Sequence, residues 1–170
     1  MTLDERGLTL AEVVTAALII GIGLTGLMIV VPISSSGLAE GNQLTTATFL
    51  AEERLEHVKN APWMASPDND CVGIGSTAAP RVPLTKSCTN GATTLAAGDV
   101  TFADESSMAA PYTGYSRTVR IDDCAATLCA GITTAGMRQV TITISYRPLT
   151  TAGIAASSKS VTLTMLVAQR

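Results

Sequence analysis

Gly7 to Val31, GLTLAEVVTAALIIGIGLTGLMIVV, is an apolar run broken by one acid, Glu12, close to its start. From Leu8 to Val31 the run forms about 36 Å of helix at 1.5 Å per residue, more than a bilayer core of about 30 Å requires. After Glu12 no charge appears until Glu40. A secretory signal peptide has a shorter apolar core followed by a small-residue cleavage site. Here the core is too long, Ser34 to Ser36 is a poor cleavage site, and no lipobox cysteine is nearby. Glu12 is the feature that needs explaining, because a carboxylate in an apolar span costs at least a few kcal/mol unless it is paired. Two readings account for it. Thr9-x-x-Glu12 fits a capping box, with the acid reaching back to the first turn. Alternatively, the carboxylate simply sits in the headgroup zone at the start of the span. Gly21, Gly23 and Gly26, with Pro32 beyond, weaken the far end of the helix or let neighbouring helices pack closely.

Working outward, the chain of 170 residues suits one membrane segment and one modest domain. Hydrophobic residues make up 46% and charged residues only 15%, while aromatics stand at 4% against abundant Thr, Ala, Ser and Gly. That mixture predicts a β-rich exported head rather than a dense enzyme core. A net charge of −3 argues against a broadly basic nucleic-acid surface. All four cysteines, Cys71, Cys88, Cys124 and Cys129, follow the apolar run. An even count without a C-x-x-C pair predicts two disulfides formed in an oxidising compartment. Of the three connectivities, Cys71–Cys88 with Cys124–Cys129 closes a local loop each time. Structural zinc would need two closely spaced pairs, and only Cys124 and Cys129 have that spacing.

Residues 32–61 continue the helix in amphipathic form, although Gly37 and Gly41 loosen it. Leu44, Thr48, Ala51, Leu55 and Val58 fall at 4,3,4,3 spacing on one predicted inner face, with Glu52, Glu53, Arg54, Glu56 and Lys59 largely on the wet side. Pro62 stops the helix at Asn60 or Ala61. Residues 64–113 read as loop, with a short strand at Val100 to Phe102 and a flexible turn at Gly73-Ile74-Gly75. Three alternating stretches then predict half-buried antiparallel strands: Tyr115 to Ile121, Val140 to Arg147, and Val161 to Ala168. The Cys124–Cys129 loop and a turn over Pro148 to Ser158 separate them, and Asp122 and Asp123 read as a polar turn at the end of the first strand. The expected fold class is α+β, a long N-terminal helix on a C-terminal antiparallel sheet, with residues 62–170 as the globular part.

Catalytic motifs do not emerge. His57 sits among charges on the helix, and no zinc-protease, nucleophile-elbow or P-loop pattern is present. Arg117 and Arg120 read as ordinary strand residues with solvated heads. The expectation is a protein that is not an enzyme and carries no cofactor or metal.

The pattern Gly7-Leu8-Thr9-Leu10-Ala11-Glu12 followed by unbroken apolar sequence resembles the class III leader of the type IV pilin superfamily. Phe49 to Trp63 is similar to the helix end of minor pilins and pseudopilins, the PilV-type and its type II secretion relatives in particular. The resemblance extends over the whole chain, because a long helix, a loop and an antiparallel meander make the pilin fold. It implies that residues 1–7 are a leader removed by prepilin peptidase between Gly7 and Leu8, and that Leu8 is N-methylated. Residues 8–31 are then the transmembrane and assembly helix, in which Glu12 neutralises the new N-terminus of a neighbouring subunit. The glycines at 21, 23 and 26 would mark where such helices unwind in filaments. Two departures stand out: Leu8 replaces the usual Phe, and Asp4 and Glu5 flank Arg6 in the leader. The implied partners are other pilin or pseudopilin subunits, prepilin peptidase and an inner-membrane assembly platform. The implied location is a single pass through the inner membrane with the residue 64–113 region as a variable periplasmic surface. A pilus subunit, a secretion pseudopilin, and a DNA- or surface-binding filament subunit are all consistent with the motif. Trp63, Tyr112 and Tyr115 are the only aromatic hints of the last.

Overall fold

The computed structural model describes residues 9–125, 129, 131–148 and 157–170, with the backbone alone at 32 and 33. The leader, including Gly7 and Leu8, and most of the expected Pro148 to Ser158 turn lie outside the described residues. One helix, α1, runs unbroken from Leu10 to Asn60, 51 residues or about 77 Å. The glycines at 21, 23, 26, 37 and 41 do not interrupt it. Leu, Ile, Val and Ala dominate its first half. The second half is held by tertiary packing, which is what normally stabilises a helix beyond its own propensity.

Two small antiparallel ribbons follow the helix. β1 (Trp63–Met64) pairs with β2 (Asn69–Asp70), and β3 (Cys88–Asn90) pairs with β4 (Thr93–Leu95). The main sheet is an antiparallel meander in the order β5 (Tyr115–Asp123), β6 (Met137–Tyr146), β7 (Lys159–Ala168). Its register sets Val119 opposite Ile142 and Ile142 opposite Leu163. The pleat therefore gathers Val119, Ile121, Val140, Ile142, Ile144 and Val167 on one buried face. The other face carries Thr118, Thr141, Thr143, Thr162 and Thr164 toward solvent, with Thr143 and Thr162 hydrogen-bonded across the strands at 3.1 Å. Fully burying side chains such as Ile121, Ile142 and Ile144 contributes about 1.5–3 kcal/mol each.

The helix meets this face through Ala47, Leu50, Ala51 and Val58, and Arg54 lies among them half-buried. The inner face is thus rotated by about 60° from the predicted one. Leu44 points outward at 49% exposure. Ala47 and Ala51, both fully buried, let the helix axis approach the sheet, and the larger side chains move to the flanks.

Residues 64–113 are more than loop. Val72, Val82 and Met108 enter the core, and the Cys71–Cys88 disulfide ties the segment to itself. Gly73 is a docked turn rather than a flexible one: its φ is +75°, and a Cβ there would lie 2.7 Å from Thr101 Oγ1 and 2.8 Å from the Arg81 carbonyl oxygen. Gly75 exchanges two 2.9 Å backbone hydrogen bonds with Ile121, and Glu105 exchanges two 2.8 Å bonds with Arg117. These bridges cover the open edge of β5, which would otherwise present unpaired backbone. No strand forms at Val100 to Phe102. Val100 makes a single bridge to Arg81 and the next two residues bend away, so that Phe102 can pack on the core.

Candidate membrane and assembly helix

Sequence and packing divide α1 into two halves. From Leu10 to Val31, thirteen large apolar side chains are each more than half exposed, with Leu10 at 82% and Met28 at 77%. None of the apolar window is buried within the chain. At about 25 cal/mol per Å², covering these side chains is worth on the order of 15–20 kcal/mol. That exceeds the net stability of an ordinary domain, about 5–15 kcal/mol, so water is not the environment of this segment. The helix is long and apolar enough to cross a membrane near the N-terminus. Its hydroxyls are already satisfied. Thr15 Oγ1 donates to the carbonyl oxygens of Ala11 at 2.9 Å and Glu12 at 3.0 Å, and Thr25 Oγ1 donates to those of Gly21 and Ile22 at 3.1 and 2.9 Å. Neither side chain brings an unpaired donor into hydrocarbon.

Glu12 sits at the start of this half in a complete capping box. Its backbone N–H donates to Thr9 Oγ1 at 3.3 Å, while Glu12 Oε2 accepts from the Thr9 N–H and the Thr9 hydroxyl, both at 3.1 Å. The local reading of the motif is therefore realised within one chain. It engages only one carboxylate oxygen. Among the described residues Oε1 accepts no hydrogen bond, and Glu12 has no cationic partner.

The second half of α1 is fastened to the head at three levels. At the bottom, Lys159 pairs with Glu40, Gln43 Nε2 donates to the Arg147 carbonyl oxygen at 3.4 Å, and Tyr115 donates its hydroxyl to the Gln43 carbonyl oxygen at 3.4 Å. In the middle, Glu105 accepts from both Arg54 and Arg117, the latter at 2.8 Å, while Arg117 Nη1 also donates to the Leu50 carbonyl oxygen at 3.3 Å. Arg117 is buried, contrary to the expected solvated head; its position in phase with Val119 and Ile121 carries it inward. Arg54 likewise leaves the predicted wet face for this cluster. Burial holds its guanidinium below the ordinary value, and nearby Arg117 pushes the same way, against Glu105 and Glu53. Arg120, on the solvent face of β5, is paired rather than free: it grips Asp104 through two bonds of 2.7 and 2.8 Å. The hydrogen bonding from Arg120 holds the Asp104 carboxyl below its usual range.

At the top, Arg138 and Asp70 form a buried bidentate pair with both bonds at 2.6 Å. Asp70 Oδ1 also accepts the Gly73 N–H at 2.9 Å, and the Arg138 guanidinium stacks 4.1 Å from the centre of the Trp63 ring. Arg170 closes this end: its backbone N–H donates to the Trp63 carbonyl oxygen at 3.0 Å and its Nη2 to the Lys59 carbonyl oxygen at 2.7 Å. A cation here also opposes the negative end of the helix dipole. Neither Asp70 nor Arg138 stands out in the sequence. The available signal is the phase of Arg138 with Val140 and Ile142, the same phase that buries Arg117.

All four cysteines are used in Cys71–Cys88 and Cys124–Cys129, the local pairing, which leaves no thiolates for zinc. His57 is exposed on α1. Among the described residues no three His, Cys, Asp or Glu side chains gather where a metal could bind. An α+β fold with one long apolar N-terminal helix on an antiparallel sheet is compatible with a pilin-like fold. No protein family, curated protein or solved structure matches this chain.

Proposed function

We propose that this chain is a minor pilin-like subunit that waits in the membrane and assembles through α1 into a type IV pilus. The observation that carries the reading is the division of one continuous helix into a naked apolar half with a single acid and a half fastened to a disulfide-bonded head. Under this reading residues 8–31 cross the inner membrane, the head lies in the periplasm, and prepilin peptidase removes residues 1–7. Cleavage after Gly7 creates an α-ammonium on Leu8. A neighbour's Glu12 pairs with it through Oε1 while keeping its own capping box through Oε2. The same handle serves a type II secretion pseudopilus, whose subunits obey the same physics. The subunit has no reaction of its own.

Mass spectrometry of the mature protein tests this. A chain beginning at N-methylated Leu8 is expected, and an intact Met1 in membrane-purified protein refutes it. Glu12→Ala should still be cleaved yet be largely lost from sheared filaments. Normal incorporation would sink the pairing mechanism while leaving the membrane reading intact.

A further inference from the structure

The chain has three tyrosines, and all of them gather at the end of the head nearest the apolar half of α1. β5 and β7 start at this end and β6 finishes there, so Tyr115 stands opposite Tyr146, and Tyr146 opposite Lys159. Tyr112 and Tyr115 meet edge to face at 6.4 Å, and Tyr115 and Tyr146 lie 5.7 Å apart. Contacts to Glu40 and Gln43 fix the level of this rim on the helix. Beside the tyrosines is an open hollow of about 200 Å³, lined by Ser116, Ser145, Ser158 and Arg147 together with Tyr115 and Tyr146. It has room for a phosphate with several waters of about 30 Å³ each. Arg147 is exposed and forms no ion pair among the described residues. The acid on α1 at this level, Glu40, is engaged by Lys159, and Glu105, next to Ser106 of the hollow, by Arg54 and Arg117.

The rim lies just above the membrane surface. Glu40 lies nine residues beyond Val31, about 13 Å along the helix, and the headgroup layer adds about 5–8 Å to the hydrocarbon edge. The head lies to one side of α1, so an ordinary tilt of about 20° brings the rim toward the headgroups. Tyrosines with an apolar body and a polar tip favour this layer, and guanidinium favours its phosphates.

We propose that Tyr112 and Arg147 form a docking surface for the phospholipid headgroups of the bilayer that α1 crosses, with Arg147 gripping a lipid phosphate at the mouth of the hollow. This rests on the membrane reading above. It adds that the head is held down on the bilayer before assembly, and that leaving the membrane must break this contact.

Hydrogen exchange of the full chain in nanodiscs of mixed phosphatidylcholine and phosphatidylglycerol, compared with maltoside micelles, tests it. The amides of Thr113, Gly114 and Arg147 should exchange about fivefold or more slowly in nanodiscs, as expected for a cation worth about that factor at an anionic surface. Amides near Trp63 at the far end should be unchanged, and Arg147→Gln should remove most of the difference. Co-elution with nanodiscs without protection at the rim, or protection that survives Arg147→Gln, overturns the inference alone. Failure to co-elute overturns the membrane reading as well.

Discussion

Removing the Asp70 carboxylate should be the most damaging single polar change in the head. Asp70 and Arg138 have side chains only 2% and 6% exposed and share two 2.6 Å hydrogen bonds. Asp70→Ala leaves a guanidinium in a site that water does not reach, under the Trp63 ring and with Arg138 Nε already unsatisfied. Breaking a buried pair from one side costs about 3–5 kcal/mol. The Gly73 N–H also loses its acceptor, at about 1 kcal/mol. The expected loss is therefore about 4–6 kcal/mol, a large share of the stability of such a domain.

Replacing both partners, as in Asp70→Leu with Arg138→Met, removes the stranded charge and should recover most of that loss, because apolar substitutes for buried pairs are often neutral. Denaturant unfolding of the full chain in micelles, followed through the sole tryptophan, Trp63, reads these variants together with Asp70→Leu alone and Arg138→Met alone. Trp63 is buried against Arg138, so its emission reports this end of the head. A loss below about 1 kcal/mol for Asp70→Ala, or losses that add in the double variant, would refute the reasoning.

Three further outcomes are expected. Replacing Cys71 and Cys88 by Ser opens a loop of 17 residues and should cost about 3 kcal/mol by the chain-entropy relation, against about 2 for the five-residue Cys124–Cys129 loop; unfolding midpoints of the two variants check the order. Ala47→Leu places three extra carbons where the helix touches the sheet and should destabilise by about 1–3 kcal/mol, whereas Gly37→Ala, whose new Cβ meets nothing within 4 Å, should not, as thermal melts would show. Asp104 has a depressed folded pKa, so its stabilisation is fully present above about pH 4, the unfolded carboxyl range, and disappears as pH falls through the lower folded value. Asp104→Asn should therefore be less stable than the parent at pH 7, with the gap closing toward pH 2, in denaturant titrations at both pH values.

The readable parts of the fold were those governed by short-range pattern. The period-2 runs at Tyr115, Val140 and Val161 located the three strands because one pleated face must be apolar. Pro62 located the helix end, and cysteine spacing gave the loops. The residues that were missed depend on partners distant in sequence. Arg117 and Arg138 occupy inward strand positions, and distant partners, chief among them Glu105 and Asp70, twelve and sixty-eight residues away, make those positions tolerable. The helix register was displaced for the same reason: Arg54 turns inward toward Glu105, and small Ala47 rather than Leu44 meets the sheet. At the N-terminus, Thr9 and Glu12 were legible as a local cap, whereas a neighbouring chain's charge leaves no trace within one chain's own geometry.

The two halves of α1 assign different tasks to affinity and register in the proposed assembly. The apolar half is worth on the order of 15–20 kcal/mol when covered, but an oil-like surface gives little preference for one sliding position over another. A Cβ added at Gly21, Gly23 or Gly26 would meet nothing within 4 Å, so these glycines too leave the sliding coordinate open within one chain. Thr15 and Thr25 close their hydroxyls on their own helix and contribute no directional demand. Glu12 is the one group in the span whose cost depends steeply on where a neighbour stops, because a charge in hydrocarbon costs several kcal/mol unless a cation arrives within a few ångström. Affinity then comes from the span and register from Glu12. The three levels of contact at Glu40, Leu50 and Lys59 carry that register rigidly into the position of the head.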